Sequence, residues 1–320
     1  MKKPKKHFLY NLFNPQGNGN EIPKDDLVGP DDLPKCFKLI GRNITNLLSL
    51  NLMIIFGNFP LMFALFALTG NLSIQTTAPS SMLFAPLYGV MQFDRSPVLQ
   101  SLYGVLGLQT VIYTPTVWTY VCTALTLLIL FTNGYVCVGA NYVLRGMVRR
   151  DPISLWSDFW GAIRRNKKQG LIMGIIDAAV IGILIYNIAT CMINPTLPVL
   201  FWQASGTLIL YLNYLLLALY MIMRFYIYIL LITFDLSIWK IIKNSLIFTF
   251  INLKRNILAL TGIILAAIIT WVLFAFFMPG AITLAITFLF SVSMFFGAYA
   301  AYPKIKEIMI DPQMNSDTEE

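Results

Sequence analysis

The sequence predicts an all-α membrane protein, a bundle of six transmembrane helices, and three observations carry that prediction. Of 320 residues, 57% are hydrophobic and 12% are charged, about half the ~25% charged content of a soluble domain. Six apolar stretches are each long enough to cross about 30 Å of hydrocarbon at ~1.5 Å per helical residue. The basic residues between them lie almost wholly on one side.

The stretches run at about 44–69, 118–144, 171–192, 207–232, 257–277 and 281–301. Met278-Pro279-Gly280 marks a turn between the last two, because neither Pro nor Gly favours a continuous helix. Residues 1–43 form a basic tail with eight Lys or Arg, and 302–320 a second tail with Lys304 and Lys306. The connector between spans two and three holds seven basic residues, and that between spans four and five holds Lys240, Lys243, Lys254 and Arg255. On the other side only Arg95 appears, within an insert at 70–117. The positive-inside rule then places both termini and both basic connectors in the cytoplasm. The N-terminus is basic enough for a signal peptide but lacks an apolar core and a cleavage site, so it is expected to be a retained tail. The insert carries four prolines, Pro79, Pro86, Pro97 and Pro115, and repeats LYGV at 87–90 and 102–105. It is expected to form short interfacial helices or a re-entrant cap on the outer side.

Residues 145–170, RGMVRRDPISLWSDFWGAIRRNKKQG, are unusually basic and aromatic for a short connector. Asp151-Pro152 reads as an N-cap followed by Pro at the first helical position. Ile153, Trp156, Phe159, Trp160 and Ile163 then recur at helical spacing on one face, with Arg164 and Arg165 at the end. Such a helix suits the headgroup boundary of an anionic leaflet, and it equally suits packing on the ends of its own bundle. A fainter copy follows, with Asp235 and Trp239 matching Asp151 and Trp156, and Arg255-Asn256 matching Arg165-Asn166. Arg42-Asn43 precedes span one in the same way. Tyr142, Tyr226 and Tyr302 each precede an Asp by nine positions. These matches predict three parallel helical hairpins with short amphipathic helices on the cytoplasmic side; chance recurrence of rim residues is the competing account.

Two ionisable residues fall inside predicted spans. Asp177 and Arg224 lie at equal depth, roughly 10–12 Å from the cytoplasmic edge, on the two arms of one hairpin. Either charge alone in lipid costs at least about 2.5–3.5 kcal/mol, so a mutual ion pair is the economical arrangement. A solute or proton path, or Arg224 snorkelling to the headgroups, are the alternatives. Asn51, Asn58, Asn133, Asn187 and Asn213 add amides at membrane depth, and Pro60 is expected to kink span one. Gly170-Leu-Ile-Met-Gly174 is a small-xxx-small pattern that permits close helix approach.

Enzymatic chemistry has little to stand on. The single histidine is His7, which leaves no His-assisted nucleophile or histidine-ligated metal within the spans. The four cysteines share no CxxC spacing, and no Gly-rich phosphate loop occurs between a strand and a helix. No cofactor is expected, and no nucleic-acid partner, because the positive charge clusters at membrane edges.

The run YVLRGMVRRDPISLWSDFWGAIRRNKKQG, with the NLLSLNLMIIFGNFP entry to span one and the passage RFYIYILLITFDLSIWKIIKNSLIFTFINLKRN, resembles the YesL family of bacterial multi-pass membrane proteins. The likeness extends over residues 35–310 by pattern, and it departs in the insert and the long N-terminal tail. It implies a bacterial plasma-membrane protein linked to carbohydrate uptake, with a sugar ABC transport system as partner. It transfers no catalytic or binding residue. Three functional classes follow: an accessory or regulatory component that binds its partner through Trp156, Phe159, Trp160, Arg164, Arg165, Asn166, Trp239, Arg255 and Asn256; a carrier or channel lined by Asp177, Arg224 and the asparagines; and, weakest, a membrane enzyme.

Overall fold

The computed structural model describes residues 33–79, 109–193 and 206–312. His7 and most of the N-terminal tail, both LYGV copies, Pro86, Arg95, Pro97 and the last eight residues lie outside the described residues. The chain divides into two compact units, one of residues through Asn58 and from Leu130 onward, the other Phe59–Ile129.

The smaller unit contains α3 (Pro60–Leu68), β1 (Ser73–Pro79), β2 (Gln109–Pro115) and α4 (Val117–Thr126). β1 and β2 pair antiparallel in the register Ser73↔Pro115 to Pro79↔Gln109. Helices or a re-entrant cap are expected here, and the described ends of the insert are strands instead. The physical reason is composition: SIQTTAP and QTVIYTP are rich in β-branched residues, which fit a pleated ladder better than a helix. Thr116 caps α4 in a capping box with Thr119, whose Oγ1 also donates to the Leu72 carbonyl at 3.1 Å.

The larger unit holds α1 (Leu33–Arg42), α2 (Ile44–Gly57), α5 (Ile129–Arg149), α6 (Leu155–Arg165), α7 (Lys167–Ile193), α8 (Gly206–Thr233), α9 (Ile238–Ile251), α10 (Leu253–Phe276), α11 (Met278–Leu284) and α12 (Phe290–Ile305). A π-helical turn at Ala285–Leu289 joins the last two. Five described stretches are long and apolar enough to cross a membrane: Val117–Arg149, Lys167–Met192, Leu208–Thr233, Leu253–Phe276 and Met278–Ile310. In Leu253–Phe276 only 11% of the apolar window is buried within the protein. A helix that apolar on its outer surface is stable in lipid and not in water. The chain is therefore a multi-pass membrane protein with an all-α bundle.

The expected first span, 44–69, is not one helix. α2 stops at Gly57, Asn58 donates its amide back to the Ile54 carbonyl at 3.1 Å, and α3 restarts at Pro60. Pro60 has no N–H to continue the ladder, while Phe59 before it keeps α-region angles, φ −50°, ψ −27°. A sixth span is counted only if α1 and α2, bent by 80° at Asn43, are taken together.

That bend is one of three similar junctions. Asn43, Asn166 and Asn252 each separate a short helix from a longer one, with φ,ψ of −105°,18°, −111°,26° and −104°,36°. At each, the Asn backbone N–H bonds the carbonyl four residues back. Asn43 and Asn166 also donate their side-chain amides to that carbonyl, both at 3.0 Å. The third junction therefore falls at Asn252, one turn before Asn256, and it explains why the sequence copies are out of register.

α6 begins at Leu155 with Ser154 as its cap, and the Ser154 N–H donates to Asp158 Oδ2 at 2.8 Å. Asp151 is not the N-cap. It belongs to the preceding turn, where the N–H groups of Arg150 and Asp151 bond the carbonyls of Met147 and Gly146 in a Schellman closure of α5. Arg150 takes the left-handed position there, φ 63°, and Asp151 pairs with Arg149 at 3.0 Å.

α7 and α8 pack antiparallel, as do α10 and α12, and α8 also packs on α9 and α12. Tyr226, Phe295, Phe296 and Leu230 lie in the core they share. Asn51 of α2 accepts the Ser291 N–H at 2.8 Å. The π turn interrupts the α ladder just before Ser291, so this amide satisfies a donor that the widened turn would leave without its usual partner.

Candidate functional site

The densest polar cluster in the apolar core centres on Asp177, which is 0% exposed. Three helices build it. α7 supplies Asp177. α8 supplies Tyr220, Arg224 and Tyr228, spaced four apart and so stacked on one side of the helix. α5 supplies Asn133 and, four residues on, Cys137. Arg224 Nη2 lies 2.9 Å from Asp177 Oδ2. Tyr228 donates to the same oxygen at 2.9 Å and Asn133 Nδ2 at 3.2 Å, while Tyr220 donates to Oδ1 at 3.0 Å. Four donors from this chain thus hold the carboxylate, three of them on Oδ2 and one on Oδ1. Arg224 is 26% exposed in its side chain, and it further contacts Cys137 Sγ at 3.6 Å and Met221 Sδ at 3.9 Å. Among the described residues its Nε has no hydrogen-bond partner.

Close packing makes the cluster possible. A Cβ built on Gly134 would stand 2.7 Å from the Gly174 Cα, and one on Gly174 would stand 2.5 Å from the Gly134 Cα. With hydrogen at both positions the backbones of α5 and α7 touch, which brings Asn133 within reach of Asp177. Gly174 belongs to the small-xxx-small pattern, but its partner on α5 has no such pattern to announce it. Tyr220, Tyr228 and Cys137 are likewise absent from the sequence expectations. The four-residue spacing of the tyrosines around Arg224 is the signal that could have found them.

The other expected amides divide by location. Asn187 Nδ2 donates to Asn213 Oδ1 at 3.4 Å, a second polar link between α7 and α8. Asn256, expected among the interfacial or partner-binding residues, is instead buried at 1% exposure. It accepts the Tyr226 hydroxyl and donates to the Thr249 carbonyl at 2.8 Å. Asn252 joins the same knot, donating to Tyr226 Oη at 2.9 Å and to the Ala300 carbonyl at 3.0 Å. Arg255 is half-buried beside it.

The aromatic connector helix α6 has two sides. Leu155, Phe159, Ala162 and Ile163 are buried, and Phe159 fits over Gly139 of α5. Trp156 and Trp160 are 53% and 42% exposed, edge-on to one another at 5.8 Å. The five apolar positions therefore do not share one environment, because a face as wide as theirs exceeds what a neighbouring helix covers. An apolar cavity of about 520 Å3 lies beneath the two tryptophans, between α6, Met53 and Phe56 of α2, and Tyr135 of α5. Arg164 and Arg165 are exposed at the end of α6, and Arg165 lies 4.9 Å from the Tyr142 ring centre, the same distance as Arg145. On the neighbouring connector Trp239 is 75% exposed. Gln169 Nε2 donates to the Leu236 carbonyl at 3.1 Å and ties the two connectors together. Among the described residues no group of three or more His, Cys, Asp or Glu side chains stands close enough to hold a metal ion.

Residues 111–188 match the model of a family described as "Protein of unknown function, DUF624". The match includes α6, Asn133, Cys137 and Asp177, and ends before Tyr220, Arg224 and Tyr228. It is consistent with the YesL resemblance. No curated protein and no solved structure matches the chain.

Proposed function

We propose that this membrane protein is an accessory or regulatory component of a bacterial plasma membrane, with both termini and both basic connectors cytoplasmic. It engages a partner through those connectors, and the YesL resemblance points to a carbohydrate-uptake ABC system as that partner. The observation that supports this reading is the state of Asp177. It is held by Tyr220, Tyr228, Asn133 and Arg224 from two neighbouring helices, which supports a role for this intramembrane charge in cohesion. Trp156, Trp160 and Trp239, by contrast, stand exposed beside basic residues, the composition favoured at interface cores. A carrier is the second reading, and what favours it is Arg224, whose Nε lacks a partner among the described residues.

The test is photo-crosslinking in cells, with a photoreactive amino acid at positions flanking Trp156 and Trp239. The expected product is an adduct with a transport-system subunit, lost in the Trp156→Ala/Trp160→Ala/Trp239→Ala variant while membrane levels stay unchanged. Sugar accumulation in liposomes that contain this protein alone would replace the accessory reading with the carrier.

A further inference from the structure

We propose that a second cavity, at the α6–α7 junction, is a binding site for a phosphate-bearing anion. Its volume is about 680 Å3, and its lining includes Arg164, Arg165, Lys167 and Lys168 together with Thr233 and Asp235 at the end of α8. The lining carries four cations and one carboxylate, a balance of three positive charges. Among the described residues none of the four has an ion-pair partner. The positive-inside rule accounts for basic residues at a membrane rim, but not for their convergence on a concavity. A cleft lined by one sign of charge focuses its field and raises the local concentration of counter-ions.

The walls are held in place by contacts within the chain. The Arg165 guanidinium is set against the Tyr142 ring. The carbonyl end of α8, which would repel an anion, is neutralised by Arg145, whose Nη1 donates to the Ile232 carbonyl at 3.3 Å and to Thr233 Oγ1 at 2.8 Å. The Gln169–Leu236 hydrogen bond fixes the spacing of the two connectors. Two guanidiniums and two ammoniums make a mixed set, the first able to grip oxygens in pairs and the second acting as mobile point charges. A phosphate group, with several oxygens to accept from guanidiniums and ammoniums together, matches this set better than a single carboxylate does. The group could belong to a lipid headgroup or to a soluble phosphate compound.

The inference is independent of the partner reading, because binding is measured on the isolated full-length protein. Inorganic pyrophosphate is titrated at constant ionic strength, and phosphatidylglycerol is titrated in mixed micelles against phosphatidylcholine. Saturable binding of at least one anionic probe is expected, weakened about tenfold or more in Lys167→Gln/Lys168→Gln, as loss of charge-assisted hydrogen bonds implies. Lys167→Arg/Lys168→Arg retains the charge and is expected to retain binding, which separates loss of the site from loss of folding. Binding of phosphatidylglycerol without pyrophosphate assigns a lipid headgroup, and the reverse assigns a soluble phosphate. The proposal is overturned if neither probe saturates, or if the Gln variant binds as tightly as wild type.

Discussion

Asp177 and Arg224 look like a simple pair on two helices, but the carboxylate has three further donors. This changes what substitution should do. Removing one partner of a buried ion pair strands the other charge and typically costs about 3–5 kcal/mol, so Asp177→Asn and Arg224→Gln should both lower the thermal midpoint sharply in detergent. A simple pair would recover on exchange of the two charges. Here Tyr220, Tyr228 and Asn133 remain aimed at position 177, so Asp177→Arg with Arg224→Asp should stay well below wild type. Recovery to the wild-type midpoint would mean that the tyrosines and Asn133 contribute nothing. Tyr228→Phe is expected to be milder, about 0.6–2 kcal/mol, the range found for hydrogen bonds between membrane helices.

The helices meet where glycines let them. Gly134 and Gly174 press two backbones together, and an added methyl there must push α5 from α7. Overpacking of this kind costs about 1–3 kcal/mol, so Gly174→Ala should lower the midpoint. Gly182, on the same helix, has open space around an added Cβ. Gly182→Ala should leave stability unchanged or raise it, because alanine is the better helix former by about 1 kcal/mol. Equal effects at the two sites would show that the close approach does not govern packing. The repeated Asn junctions also belong to this level. At Asn43, Asn166 and Asn252 a side chain or backbone N–H occupies the last carbonyls of a short helix, so each chain entry to a longer helix turns by the same local means.

For the molecule as a whole, the lopsided distribution of Lys and Arg makes an orientation testable. With the native cysteines replaced, Ser154→Cys and Ser237→Cys on the two connectors should resist a membrane-impermeant thiol reagent in intact cells and react after lysis. Ser73→Cys, at the start of the strand pair, should react in intact cells. The opposite pattern would invert the proposed topology and remove the cytoplasmic partner.

Membrane class, the positions of most spans and the inventory of intramembrane polar groups were legible in the amino-acid order, because apolar length and charge asymmetry are local quantities that the bilayer reads one segment at a time. The paired depth of Asp177 and Arg224 was legible for the same reason, since rise per residue converts position into height. Depth says nothing of azimuth. Whether Asn133 faces Asp177, whether Asn256 faces Tyr226 or the rim, and which side of α6 is covered depend on how each helix is rotated and how closely it approaches its neighbours. Those angles are set by the summed packing of Gly134 on Gly174, Phe159 on Gly139 and their like. At 73–79 and 109–115 the β-branched composition favours an extended chain, but pairing was a tertiary matter, since each segment needs its distant partner to bond. The sequence by itself determined what the bilayer would accept, and only the folded chain decided which polar groups would meet, because a helix in lipid is free to turn about its axis until another helix stops it.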